Sequence, residues 1–249
     1  MRLLVRTWNV FHGRTSPPTQ GAHLERMVRL VSEDGPDALC LQEIPVWALC
    51  DLGGWSGMRV FGALATRPLV RGSAGRRITE LEPRLFRSAL WGQANAILVS
   101  ERLHPEFETG FVLNPRCFRR SEARRLRLPL WTSRAWAWNR RMLHAVRIRD
   151  TVVANLHATR HTDRRLAAAE LERAAERMSV NERCILCGDF NVGDLALPGF
   201  SDAGPGIDHI VVRGVTLVRG PERWPDERRV IDGVLLSDHA PVEAEMIVG

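Results

Sequence analysis

Lysine and tyrosine are absent from the 249-residue chain, so all 35 basic residues are arginine. This skew reads as the composition of a GC-rich genome rather than as selection at a site. The missing tyrosine excludes any mechanism that places a phenol on the substrate. Five cysteines, irregularly spaced, are too few for a disulfide framework. No apolar run reaches the length of a membrane-spanning helix. The start, Met1 to Trp8, lacks the apolar stretch and small-residue cleavage site of a signal peptide. With 45% hydrophobic and 26% charged residues the composition is that of a folded, soluble protein, and the expected location is the cytoplasm. The net charge of +6 favours polyanionic partners if the surplus gathers on one face.

Eight short apolar or alternating runs have strand length: Leu3–Trp8, Ala38–Leu41, Ala94–Val99, Leu143–Ile148, Val152–Leu156, Cys184–Leu186, Ile207–Val212 and Val242–Val248. Leu24, Met27, Val28 and Val31 fall at helical spacing, as do Ala167, Leu171, Ala174, Ala175 and Met178, with arginine and glutamate on the opposite faces. These predict amphipathic helices covering a sheet. Arg149-Asp150-Thr151 predicts a hairpin and Leu3–Trp8, helix, Ala38–Leu41 a parallel crossover, so the sheet is expected to be mixed. Neither a repeat nor a long linker divides the chain, and one domain spanning 1–249 is expected.

Short polar residues cluster at the ends of these strands. Asn9, Gln42-Glu43, His157, Asp189 and Asn191 each follow a run, and Asp238-His239 precedes the last one. In layered α/β folds such positions converge on a crevice. The Glu43 carboxylate, tethered between an apolar strand and Ile44-Pro45, suits a hard cation, although a lone glutamate there also reads as a strand end and Asn9 as a turn former. In Gly188-Asp189-Phe190-Asn191 an acid and an amide two residues apart share one side while Phe190 faces the core. His239 beside Asp238 supplies a titratable base, and Asp208 can accept a hydrogen bond from an imidazole and fix its tautomer. His157 adds a candidate phosphate contact.

Taken in order, Thr7-Trp8-Asn9-Val10, Leu41-Gln42-Glu43, Ala154-Asn155-Leu156-His157, Gly188-Asp189-Phe190-Asn191, Ile207-Asp208-His209-Ile210 and Ser237-Asp238-His239-Ala240-Pro241 resemble the motif series of the endonuclease/exonuclease/phosphatase superfamily. The resemblance implies a DNase I-like fold, a four-layer α/β/β/α sandwich of two mixed sheets flanked by helices. It implies a divalent cation, Mg²⁺ or Mn²⁺, at Glu43 with Asn9 and Asp238 nearby, and His239 beside the scissile phosphate, oriented by Asp208. By the same resemblance Asp189 activates or positions the attacking water, and Asn191 and His157 hold phosphate oxygens. Phe11 stands where the abasic-site endonuclease branch carries an acid, which weighs against that assignment.

The resulting expectation is a metal-dependent phosphoesterase. Its leading chemistry is phosphodiester hydrolysis in nucleic acid. Phosphomonoester, phospholipid or inositol phosphate hydrolysis is the enzyme alternative, and a nucleic-acid-binding protein without turnover is the other. Between Arg116 and Arg141 nine arginines face one acid, Glu122, with Trp131, Trp136 and Trp138 interleaved. That mixture suits single strands, with arginines on phosphates and tryptophans under bases, and equally a solvated face with core tryptophans. It also suits an anionic membrane surface, which is less favoured, and no obligate protein partner is expected. Residues Gly62–Gln93 read as an insertion with a helix carrying Leu81, Leu85 and Phe86 that walls or covers the site. Cys184 and Cys187 have the spacing of a redox or zinc pair, but their place in an apolar strand favours core packing, as for Cys40.

Overall fold

The computed structural model describes residues 1–19, 23–69, 72–81, 92–138, 140–160, 163–194, 196–201 and 204–249, with backbone alone for 72 and 78–81. Two mixed sheets form its centre. Numbered in chain order, the six-stranded sheet runs β10 (Thr216–Arg223), β13 (Val242–Ile247), β1 (Arg2–Asn9), β2 (Ala38–Ile44), β4 (Gln93–Ser100), β3 (Met58–Thr66). The five-stranded sheet runs β5 (Pro105–Val112), β6 (Met142–Ile148), β7 (Thr151–His157), β8 (Arg183–Asp189), β9 (Asp208–Arg213). Each contains one parallel pair, β1 with β2 and β7 with β8, among antiparallel neighbours. A two-stranded ribbon, β11 (Val230–Ile231) and β12 (Val234–Leu235), precedes the last strand.

Period-two alternation assigns every central strand an inner and an outer face. Leu3, Val5, Ala38, Cys40, Ile97, Val153, Ile185 and Ala244 pack between the sheets. Trp8, Leu39, Leu41 and Ala96 turn outward against helix α1 (Leu24–Ser32) and the short α2 (Leu52–Ser56). Ala154, Leu156, Leu186 and Phe190 turn outward on the other side against Leu171 and Ala174 of α6 (Arg165–Met178). The layers are therefore helix, sheet, sheet, helix, as expected. Helices α3 (Gly72–Leu81), α4 (Arg116–Arg125) and α5 (Leu130–Trp138) lie in the connections.

Toward one end of the sandwich the inner faces become polar. Asn155 Nδ2 donates across the gap to the carbonyls of Leu41 and Ala96, both at 2.9 Å. Gln42 Nε2 donates to Asn155 Oδ1 at 2.8 Å and Thr7 Oγ1 at 2.9 Å, and all three side chains are buried. These directional bonds fix the spacing of sheets that share no ladder.

The eight expected strands all form. Three more strands of the two sheets, β3, β5 and β10, do not stand out in the sequence because they are half-exposed edges, with Gly62, Gly110 and Gly220 breaking the apolar pattern. Residues 62–66, expected in the insertion, belong to β3, and the helix there spans 72–81. Leu85 and Phe86 lie outside the described residues. Cys184 and Cys187 point to opposite faces of β8, which excludes a shared ligand and leaves them as core thiols.

An ion cluster ties β1 to β13. Buried Arg6 donates to Glu243 at 2.8 Å, to the Val31 carbonyl at 3.0 Å and to Asp34, and stacks on Trp224. Burial pushes the Glu243 carboxyl up, but hydrogen bonds from Trp224 and Arg6 and the charge of Arg6 outweigh it and hold it below its ordinary value. A carboxyl lowered on folding contributes stability above its unfolded pKa and loses it as pH falls. Glu243→Gln should therefore cost about 3 kcal/mol at neutral pH. The gap from wild type should narrow below about pH 4, as urea titrations at several pH values will show. An equal gap at all pH values would show that the charge is not what matters.

Candidate active site

All eight residues singled out in the sequence line one cleft of about 380 Å³ at the polar end of the sandwich: Asn9, Glu43, His157, Asp189, Asn191, Asp208, Asp238 and His239. Arg160, Arg223 and Phe11 join them. A larger, shallower recess against α1 and α2 contains none of them.

The strands deliver these side chains by register. His157 is opposite Asp189, and Asp189 opposite Asp208, across β7, β8 and β9. Gly188 precedes Asp189 at φ 143°, and a Cβ there would collide with the Leu156 carbonyl, so only glycine lets the strands approach. Strict alternation would turn Glu43 away from the cleft. Instead β2 bulges: Leu41 pairs with Ala96 and Ile44 with Ala94, leaving two residues opposite one. Glu43 adopts φ 57° in this bulge and its carboxylate turns to the cleft. On the six-stranded side, Asp238 and His239 sit on a loop clamped by buried Arg229, which donates to the carbonyls of Leu236, Ser237 and His239 at 2.8–2.9 Å. Trp8 also donates to the His239 carbonyl, and Ser237 Oγ to that of Asn9.

His239 Nδ1 and Asp208 Oδ2 are 2.8 Å apart, which orients the imidazole and leaves Nε2 toward the cleft, 3.8 Å from Asp189. Burial alone would lower the His239 pKa, but the Asp208 hydrogen bond and charge, with Asp189 and Asp238 behind it, push it up to about 9. Asp189 is almost wholly buried, and burial together with the neighbouring Asp208 charge pushes its carboxyl up to about 7. Asn9 Nδ2 donates to Asp189 at 2.9 Å, and the Phe11 N–H on Asn9 Oδ1 fixes that amide orientation. Asn191 donates its backbone N–H to Asp189 Oδ1 and its side chain to the Ala158 carbonyl, both at 3.0 Å.

Three contributors escape sequence reading. His12 Nε2 lies 3.1 Å from Glu43 Oε2, on a turn where Phe11, His12 and Gly13 all have positive φ. Burial raises the Glu43 pKa, yet His12, His157 and His239 hold it well below the ordinary carboxylate range. Gln93, at the end of the expected insertion, places Nε2 3.1 Å from His157 Nδ1. Donation there sets the His157 proton on Nε2, between Glu43 at 3.9 Å and Asp189 at 3.4 Å. Burial, then Arg141, push the His157 pKa down to about 3, so it is a neutral donor. The third is Arg229. The rest of the insertion does not reach the cleft among the described residues; α3 leans on the turn after β2, where Arg76 pairs with Asp51 and covers Trp47.

Two acid groups could take a cation. Asp189, Asp208 and His239 present atoms within 4.8 Å of one another, but Asn9 and the His239–Asp208 bond already engage them. Glu43 and the more exposed Asp238 offer carboxylate oxygens facing the cleft, the hard donors a divalent cation such as Mg²⁺ or Mn²⁺ takes.

The structure is an α/β sandwich of two mixed sheets with carboxylates and imidazoles gathered at one end. The endonuclease/exonuclease/phosphatase family model matches residues 7–239, and the chain belongs to that family. Its members are hydrolases of phosphoester bonds that generally use divalent metals. Solved structures share the fold at low identity. An endonuclease/exonuclease/phosphatase protein from Beutenbergia cavernae has a TM-score of 0.67 and 16% identity, over 100% of this chain and 72% of that one. A functionally unknown conserved protein from Enterococcus faecalis also has 0.67, with 17% identity over 98% and 99%. TDP2 from Caenorhabditis elegans has 0.61 and 14%, over 100% and 76%. No functionally curated protein matches the sequence.

Arg229→Leu would take the Arg229 donor from the buried carbonyls of Leu236 and Ser237, each worth about 1–3 kcal/mol, while that of His239 keeps Trp8. The variant should unfold at lower urea concentration by at least about 2 kcal/mol and lose phosphoesterase activity under conditions where it remains folded. Full activity in the folded variant would show that the loop holds His239 without the clamp.

Proposed function

We propose that the chain is a divalent-metal-dependent phosphoesterase that hydrolyses phosphodiester bonds in nucleic acid by in-line attack of an activated water. The observation that carries this reading is His239, aimed by Asp208 at the same space that Asp189 faces from β8. Asp189, with its carboxyl near neutrality, takes a proton from the attacking water. His239, charged through Asp208, faces the phosphate oxygens, while neutral His157 donates from Nε2 and Asn191 completes the cradle. Asn9 holds Asp189 in place. Glu43 and Asp238, with Asn9 adjoining, would hold Mg²⁺ or Mn²⁺, which when bound supplies charge to the phosphoryl oxygens. Arg160 and Arg223 at the cleft favour a substrate with phosphates beyond the scissile one. We read residues 1–249 as one catalytic domain. Five free thiols support a reducing, cytoplasmic location, and no described helix is long and apolar enough to cross a membrane.

The test is turnover of single- and double-stranded DNA, RNA, a phospholipid, an inositol phosphate and a small diaryl phosphodiester. Wild type, Glu43→Gln and His239→Ala are compared with Mg²⁺, Mn²⁺ or EDTA. Metal-requiring cleavage of nucleic acid that falls roughly 10²-fold or more in His239→Ala is expected. Cleavage confined to phospholipid or inositol phosphate would replace the substrate assignment. Nucleic acid bound without turnover on any substrate would replace the enzyme with a binding protein.

A further inference from the structure

The arginine-rich connection between β5 and β6 lies at the catalytic end of the five-stranded sheet. Helix α5 is anchored through Trp136, which is buried, donates to Glu170 of α6 at 2.6 Å and meets Phe118 of α4 edge-on. Glu170 in turn accepts from the Thr159 N–H and hydroxyl, just beyond His157. Arg141, at the end of the connection, reaches the His157 carbonyl and Thr159. The two helices are thus fastened to the strand end that carries His157 and Arg160 into the cleft.

Their outer faces differ from the anchored one. Trp131, Arg134 and Trp138, at i, i+3 and i+7, share the outer side of α5, and the two tryptophans are 63% and 82% exposed. On α4, Arg116, Arg120 and Arg124 recur every fourth residue, all exposed and without ion-pair partners among the described residues. Four helical residues span about 6 Å, so α4 presents a row of evenly spaced forks, and α5, packed on it through Phe118 and Trp136, presents two exposed tryptophans.

Evenly spaced cations beside exposed ring faces suit a linear chain of phosphates that carries bases, not a small phosphoester. We propose that α4 and α5 form a docking platform for single-stranded nucleic acid, with phosphates on Arg116, Arg120 and Arg124 and bases against Trp131 and Trp138. The platform leads the strand past Arg160 into the cleft. This rests on the phosphodiesterase reading and names the form of its substrate.

Binding of a labelled single-stranded oligodeoxythymidine is measured by anisotropy in EDTA, where no cleavage occurs. Trp131→Ala/Trp138→Ala should weaken it roughly tenfold or more. The triple change of Arg116, Arg120 and Arg124 to Gln should lower the slope of log affinity against log salt by about 2. Arg26→Ala/Arg29→Ala, a loss of two charges on α1, should leave binding as in wild type. Equal affinity in all variants would overturn the platform. So would preferential binding of phosphatidylserine vesicles over the oligonucleotide by wild type, lost in the tryptophan variant, since that assigns the face to a membrane. Hydrolysis of the small diaryl phosphodiester by wild type reports separately on the catalytic reading. If it persists while the platform variants bind normally, the platform alone fails, and if it is absent while platform-dependent binding remains, the catalytic reading fails.

Discussion

Two sheets that share no ladder can hold a cleft between their ends only if something fixes their relative position, and here buried amides do so. Apolar packing between the sheets is non-directional and tolerates sliding. Asn155 does not: its side chain reaches carbonyls on both β2 and β4 and receives Gln42 in return. Just beyond it stand Glu43, next after Gln42, and His157, two residues after Asn155, with Asp189 opposite His157. The amide layer separates an apolar interior from an ionisable end and ties the two sheets together there.

Within that end, burial and charge divide the work. Burial alone would neutralise Asp189, His157 and His239 alike. His157 follows that tendency, Asp189 is driven up toward neutrality, and His239 escapes because Asp208 accepts its hydrogen bond. The result is a neutral donor, a carboxyl poised for proton transfer and a cation around one space, while Glu43 remains charged under three imidazoles. Groups whose environments separate their pKa values in this way suit acid–base chemistry on a phosphoester.

Much of this was legible in the residues. Asp189, Asp208 and His239 lie in short motifs at strand ends, and their strands have strong periodicity, so the family resemblance and the layered fold emerged together. What stayed hidden depends on three-dimensional contact without a local pattern. Gln93 meets His157 from 64 positions away. His12 reaches Glu43 only because three consecutive residues take left-handed backbone and β2 bulges, and period-two reasoning does not foresee either. Arg229 looks like any exposed arginine until its loop folds over it. The edge strands β3, β5 and β10 lacked the burial that writes an apolar pattern, and of the three tryptophans in the basic stretch only Trp136 entered the core.

The cleft draws Glu43 from one sheet and Asp208 from the other, and the proposed hydrolysis makes them parts of one reaction. A double-mutant cycle tests this most directly: hydrolysis of a small diaryl phosphodiester by wild type, Glu43→Gln, Asp208→Asn and the double variant at saturating metal. Residues acting as a unit lose activity non-additively, so the double variant should be about as slow as the slower single variant. Losses that multiply would mean that the two sheets contribute independently, and an unimpaired Glu43→Gln would remove the carboxylate on which metal dependence rests.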